Sequence, residues 1–267
     1  FINTINSNRN HILLNCKVPE AVKFYQFQEL SEKINNKTDL IVIAVASKGI
    51  DWASKVLSNI LKRNIPILIL TKGLSINNNK FEVLAHKMER ILKKNGIKKM
   101  SISALGGPCL AKGLANKIHT SVIVANKSIK IAKKISKLIS TDYYHVFTTN
   151  DVIGLEISSA IKNIFSIALG AASGLNRFFT LNEDKEKLYL NTSAALLQQS
   201  INEMTIFTKK LKGKKETVLG LAGVGDLYVS EKGGRNSKMG RYLGQGMTYN
   251  AVKKDYMKNE TVEGADL

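Results

Sequence analysis

The side chains best suited to chemistry fall into three groups spread along a chain of 267 residues. The first is Lys162, followed directly by Asn163, inside the apolar stretch 153–175, IGLEISSAIKNIFSIALGAASGL. That stretch is long enough for about six helical turns and is apolar on nearly every side, as a helix in the middle of a protein is. An ammonium among Ile161, Ile164, Phe165 and Ile167 is costly unless it is paired or put to use. Otherwise its stem bends along the helix and carries the charge to water. The residues alone leave both readings open.

The second group is Gly220 to Asp226, GLAGVGD, then Gly233-Gly234-Arg235-Asn236. The glycine order is G-x-x-G-x-G with no clear strand before it, so the mechanics of a dinucleotide-binding G-x-G-x-x-G turn do not apply. The segment instead offers a carboxylate, Asp226, in a tight apolar turn, and an Arg-Asn pair after flexible glycines. Arginine presents a planar fork of donors that suits phosphate.

The third group sits on two loops. Thr71-Lys72-Gly73 puts a cation at a strand end, and Gly106-Gly107-Pro108-Cys109-Leu110-Ala111 has glycines that let the backbone approach a ligand. Each is also compatible with an ordinary turn. Ser159-Ala-Ile-Lys162 matches the S-x-x-K signature of serine acylases, but the companion S-D-N and K-T-G motifs are missing, so a hydrolase is set aside.

The elements that must position these groups alternate. Residues 39–46 (DLIVIAVA), 66–70, 101–105, 120–125 (TSVIVA) and 145–149 read as strands, the β-branched runs among them as strands buried on both faces. Helical spacing covers 50–63, 80–94 and 128–139. The class this predicts is α/β, a doubly wound parallel, Rossmann-like sheet with right-handed crossovers. Ligands of such sheets bind off the carboxyl ends of the strands, where Lys72 and residues 106–111 fall. After Thr149 only helices are expected, so the division is a dinucleotide-binding domain over 1–150 and an all-helical catalytic domain over 151–267.

Composition narrows the class. The net charge is +19, from 40 basic and 21 acidic side chains. The lysines are scattered as pairs (Lys93-Lys94, Lys98-Lys99, Lys133-Lys134, Lys214-Lys215) without interleaved aromatics, which favours a solvated basic surface over a nucleic-acid stripe. No membrane span is expected, because Glu156 and Lys162 interrupt the apolar stretch. Cys16 and Cys109 make neither a disulfide framework nor a metal cluster, and a reducing cytoplasm is the expectation. The opening FINTINSNRN has neither an initiator Met nor a signal-peptide pattern, and reads as the interior of a longer protein.

Together the motifs resemble the bacterial type of NAD(P)-dependent glycerol-3-phosphate dehydrogenase. Residues 3–10, DLIVIAVAS, TKGL, GGPCLAKGL, NDVIGLEISSAIKNIFSIALGAASGL, GLAGVGDL, GGRN, LGQG and VEG follow the family's order and spacing nearly end to end. Some positions depart from it. Ala46 stands where Pro is usual, Cys109 replaces Ser or Thr and weakens a hydrogen bond, and Gly234 often is Ser. The GGRN loop is shorter than usual. The family's first strand, its glycine-rich phosphate loop and its last helices are expected to lie outside this sequence.

The resemblance implies interconversion of sn-glycerol 3-phosphate and dihydroxyacetone phosphate with NAD or NADP, supplying glycerol 3-phosphate for glycerophospholipids. It implies that Lys162 exchanges a proton with the substrate oxygen and that Asp226 orients it. Arg235 is implied to hold phosphate, with Asn236, Gly234, Asn163, Gly107 and Cys109 also touching the substrate. Lys72 is implied to meet both substrate and cofactor, and Ala111, Arg235, Thr261 and Glu263 to contact the cofactor. The partner is then a small phosphorylated molecule, with no nucleic acid, no metal and no membrane span, and a homodimer is compatible with the resemblance. The readings kept beside it are another two-domain hydroxyacid dehydrogenase, disfavoured by the adjacent Lys162-Asn163, and a basic nucleic-acid-binding module.

Overall fold

The computed structural model describes residues 2–12, 14–178 and 189–266; of the stretch 151–267, residues 179–188 and 267 lie outside the described residues. The main sheet has five strands in chain order: Ile41–Ile43, Ile67–Ile69, Ile102–Gly106, Thr120–Ala125 and Tyr144–Thr149. Ile67, Leu68 and Ile69 are all buried, as a strand covered on both faces requires. On one face, Ile67 and Ile69 meet the buried stripes of helices Ile50–Ile60 (Ile50, Ala53, Leu57) and Leu84–Lys94 (Leu84, Ala85, Met88, Leu92). On the other, Leu68 and Val124 meet Ala132 and Ile135 of helix Ile129–Ile139. Helices on both faces make the sheet doubly wound and Rossmann-like.

Two expectations need correcting. The sheet is not parallel throughout, because Ile102–Gly106 pairs antiparallel with Thr120–Ala125 (Ala104 opposite Ala125), while the other three pairings are parallel. Only the short helix Ala111–Ala115 joins those two strands; antiparallel neighbours need no long crossover to bring the chain back. Second, the helix expected over 80–94 begins at Leu84, and Lys80–Val83 pairs with Leu74–Asn77 as a hairpin. Its turn residues, Asn78 and Asn79, both have positive φ (49° and 58°), which tight two-residue hairpins demand and Asn tolerates.

After Thr149 the described residues are helical and gather round one helix, Val152–Gly174. Asp151 caps it: one carboxylate oxygen accepts from Gly154 N (2.9 Å), the other from Lys214 N (2.9 Å) and Thr217 Oγ1 (2.6 Å). By length and mean hydropathy (1.5) this helix is long and apolar enough to cross a membrane, yet 72% of its most apolar window is buried within the fold. Its apolar surroundings come from its neighbours: the hairpin and helix Leu190–Lys210 on the side of Ile157 and Ile161, and helix Arg235–Gly244 on another.

That last crossing is unusually close. A Cβ at Gly170 or Gly174 would collide with the backbone oxygens of Ser237 and Arg241, and one at Gly240 or Gly244 with those of Ile167 and Ala171. Paired glycines four residues apart on both helices let the backbones touch, holding residues 237–244 against residues 167–174, the last two turns of the central helix. Gly170→Ala should therefore destabilise the protein by about 1–3 kcal/mol through forced separation, although helix propensity alone would favour Ala. Thermal unfolding checks this, and an unchanged or raised midpoint would contradict the close crossing.

Candidate active site

The carboxyl ends of the first three sheet strands open onto a cleft of about 600 Å³, whose other wall is built from the central helix, the helix Asp226–Gly233 and the start of helix Arg235–Gly244. Residues after each strand contribute: Ala44 to Ser47, Leu70 to Lys72, and Cys109 to Ala111. Thr71 Oγ1 donates to Val45 O (2.6 Å) and ties the first two of these loops together.

At the centre stands Asp226, 2% exposed. One of its oxygens lies 2.9 Å from Lys162 Nζ and the other 2.6 Å from Lys72 Nζ. Asp226 is not in a turn as expected. The glycine-rich stretch Leu221–Gly225 forms a wide helical turn with five-residue spacing, and Asp226 is the first residue of the next helix. Gly223 is needed there, since a Cβ would strike the backbone oxygen of Val218. Such wide turns appear where a chain must re-aim a side chain inside a helical run.

Lys162 is 4% exposed, so its head stays inside rather than reaching water. Burial is the main force pushing its pKa down to about 8, and the like charge of Lys72 adds to it; the charge and hydrogen bond of Asp226 pull it back up. Lys162 Nζ also donates to Ser230 Oγ. Ser230 did not stand out in the sequence, although it follows Asp226 by four residues and so shares its helix face.

The cleft gathers most of the other candidates. Asn163 is 6% exposed and lines it beside Lys162. Gly234 precedes helix Arg235–Gly244 in extended conformation, and a Cβ there would collide with Ser230 O. The glycines therefore serve close packing rather than flexibility. The first internal bond of that helix is Lys238 N to Gly234 O (3.0 Å), which leaves the first-turn N–H groups without intrahelical acceptors. Arg235, half exposed, donates to Glu263 Oε1 (2.6 Å). Asn236 donates to Glu263 Oε2 (3.3 Å) and accepts from Gly264 N (2.9 Å). Thr261 lies at the rim. Cys109 is a free, partly buried thiol whose pKa burial raises, and it lines the cleft with Ala111.

Gly107 is the exception among the candidates. It does not line the cleft; with φ at 117° and Val122 Cα 3.2 Å from where its Cβ would be, it turns the chain tightly against a neighbouring strand. Among the described residues no cluster of three or more metal-ligating side chains occurs. Two ammoniums and a guanidinium against two carboxylates leave the cleft with a surplus of positive charge, suited to an anionic ligand.

Comparison with known proteins points the same way. The family described as NAD-dependent glycerol-3-phosphate dehydrogenase matches by its N-terminus over residues 1–132 and by its C-terminus over residues 151–267. The glycerol-3-phosphate dehydrogenase (NAD(P)+) of Fusobacterium nucleatum is 32% identical over 97% of this chain and 72% of its own length. The protein of the same name from Clostridium botulinum is 31% identical over 98% of this chain and 74% of its length. The crystal structure of glycerol-3-phosphate dehydrogenase from Coxiella burnetii has the same fold, with a TM-score of 0.80 at 22% identity over 99% of this chain and 75% of that one. The chain thus belongs to the NAD-dependent glycerol-3-phosphate dehydrogenase family.

Proposed function

We propose that this chain interconverts sn-glycerol 3-phosphate and dihydroxyacetone phosphate, with NAD or NADP as the redox partner, and so supplies glycerol 3-phosphate for glycerophospholipids. The observation that carries this reading is the Lys162–Asp226–Lys72 contact in a cleft off the strand ends, with Lys162 and Asp226 buried and Lys72 partly exposed.

The cleft suits a nicotinamide cofactor. Off the carboxyl ends of a doubly wound sheet is where nicotinamide cofactors bind, and the walls there combine small apolar residues (Ala44, Ala46, Ala111) with Lys72, Thr261 and Glu263. These residues fit the nicotinamide end of such a cofactor. Lys72, Ala111, Arg235, Thr261 and Glu263 would hold it, and when bound it accepts or supplies the hydride.

The chain's own residues do the rest. In the reductive direction negative charge grows on the ketone oxygen of dihydroxyacetone phosphate; Lys162 Nζ lies in the cleft to stabilise that charge and hand over a proton. In the oxidative direction neutral Lys162 accepts the proton of the C2 hydroxyl, so the overall reaction releases one proton. A pKa near 8 keeps both forms within reach. Asp226 holds Lys162 in place, and Lys72 adds a second cation beside the reacting oxygen. Arg235 and Asn236, with the first turn of their helix, take the phosphate; Arg235 gives up part of its contact with Glu263 to do so. Asn163, Gly234 and Cys109 complete the substrate's surroundings. A small phosphorylated substrate, a cytoplasmic setting without membrane or nucleic-acid partners, and a homodimeric assembly belong to the same proposal.

The deciding experiment is a spectrophotometric assay of the complete reading frame with dihydroxyacetone phosphate and NADH or NADPH in turn; no oxidation of either would sink the reading. Lys162→Ala should lower kcat by about 10³-fold or more, the combined loss of a proton donor and an oxyanion partner, with the fold intact by circular dichroism. Turnover within tenfold of the parent would remove Lys162 from its role. Arg235→Ala should mainly raise KM for dihydroxyacetone phosphate, by about 10- to 100-fold for a lost charge-assisted fork. An unmoved KM would show that the phosphate sits elsewhere.

A further inference from the structure

Glu156 has no part in the chemistry above, yet it is a carboxyl group at 4% exposure on the central helix, six residues before Lys162. Its two oxygens lie 3.1 and 3.3 Å from Ala85 N, and the N–H of Leu84 bonds to it as well. Leu84 and Ala85 open the helix Leu84–Lys94. Burial pushes the pKa of Glu156 up to about 8 against the pull of these two N–H groups, and no charged side chain among the described residues contributes. A carboxyl group set there satisfies first-turn N–H groups that have no acceptor in their own helix.

The helix start gripped by Glu156 is also the root of the Lys72 loop. Leu74, two residues after Lys72, pairs with Val83, the residue just before Leu84, so the strand leaving the Lys72 loop is tied to the start of that helix. The hairpin between them begins at Leu74 and ends at Val83, and both belong to the apolar cluster that includes Ile157 and Ile161, on the central helix between Glu156 and Lys162. Lys72 is thus held at its tip by Asp226 and at its root by a unit docked through apolar contacts plus Glu156.

We propose that Glu156 is a positioning residue for the reaction: by gripping the first turn of helix Leu84–Lys94 it sets the root of the Lys72 loop, and so Lys72 Nζ, in register with Lys162 on the central helix. The proposal rests on the dehydrogenase reading. A purely structural carboxyl would cost stability when removed, but its effect on turnover would not depend on Lys72.

The test is a double-mutant cycle in the full chain, read as kcat and KM for dihydroxyacetone phosphate reduction, with thermal midpoints beside them. Glu156→Ala should lower kcat roughly 10- to 100-fold, the scale of a misplacement near 1 Å. Glu156→Gln keeps an acceptor oxygen toward Ala85 N and should recover most of the loss. In a Lys72→Ala background, Glu156→Ala should cost less than about twofold more, because the two act through one group. Should Glu156→Ala fail to fold, Glu156→Asp withdraws the carboxyl by one methylene and serves in the same cycle. Normal kcat in the Ala or Asp variant, or the full loss persisting without Lys72, would overturn the proposal. A parent protein that does not reduce dihydroxyacetone phosphate would overturn the dehydrogenase reading, and this inference with it.

Discussion

One carboxylate between two ammoniums is the interaction on which the rest of the molecule depends. Asp226 reaches Lys162 with one oxygen and Lys72 with the other, and neither Asp226 nor Lys162 has useful contact with water. Burying such charges is costly unless they are mutually paired, and removing one partner strands the others. The three groups come from a sheet loop, the central helix and the helix after the glycine-rich turn, so their pairing joins the α/β part to the helical part. It also leaves one surplus cation at the mouth, which is what an anionic substrate with an oxygen gaining charge requires.

Packing sets the place of the Arg235–Asn236 pair. The glycines at 170, 174, 240 and 244 let two helix backbones touch, and that contact presents Arg235 and Asn236 beside the central helix. Gly264 makes a comparable approach, since a Cβ there would meet Asn163 O at 2.5 Å, and its N–H reaches Asn236. Small residues here set distances that larger ones would open. Polar groups then hold the arrangement: Asp151 at the head of the central helix and Glu263 against Arg235.

The parts of the fold legible in the sequence were those written in local pattern. Continuous β-branched runs marked the buried strands, and an apolar stretch around one lysine marked the central helix, while leaving open whether that lysine is buried. What stayed hidden depends on contacts between distant segments. Strand direction at the Ile102–Gly106 and Thr120–Ala125 pairing is not encoded in either strand. Lys80–Val83 has charges and apolar residues that suit the start of a helix as well as a hairpin, and only the Asn78-Asn79 turn signalled the latter. Ser230 and Glu156 are ordinary residues until a lysine or a helix terminus is placed against them. Gly107 shows the reverse case: a glycine matching a binding motif whose conformation serves a turn.

The pH dependence of kcat for dihydroxyacetone phosphate reduction, measured in the parent protein and in Asp226→Asn, tests the central claim most directly. In the parent, a Lys162 whose pKa lies at about 8 must be protonated to act, so the rate falls as pH rises through that value. Asp226 is the group that pulls this pKa upward against burial and Lys72, so removing its charge should move the fall to lower pH, by about one unit or more for a buried, hydrogen-bonded partner. A profile that stays in place, or moves to higher pH, would contradict the account.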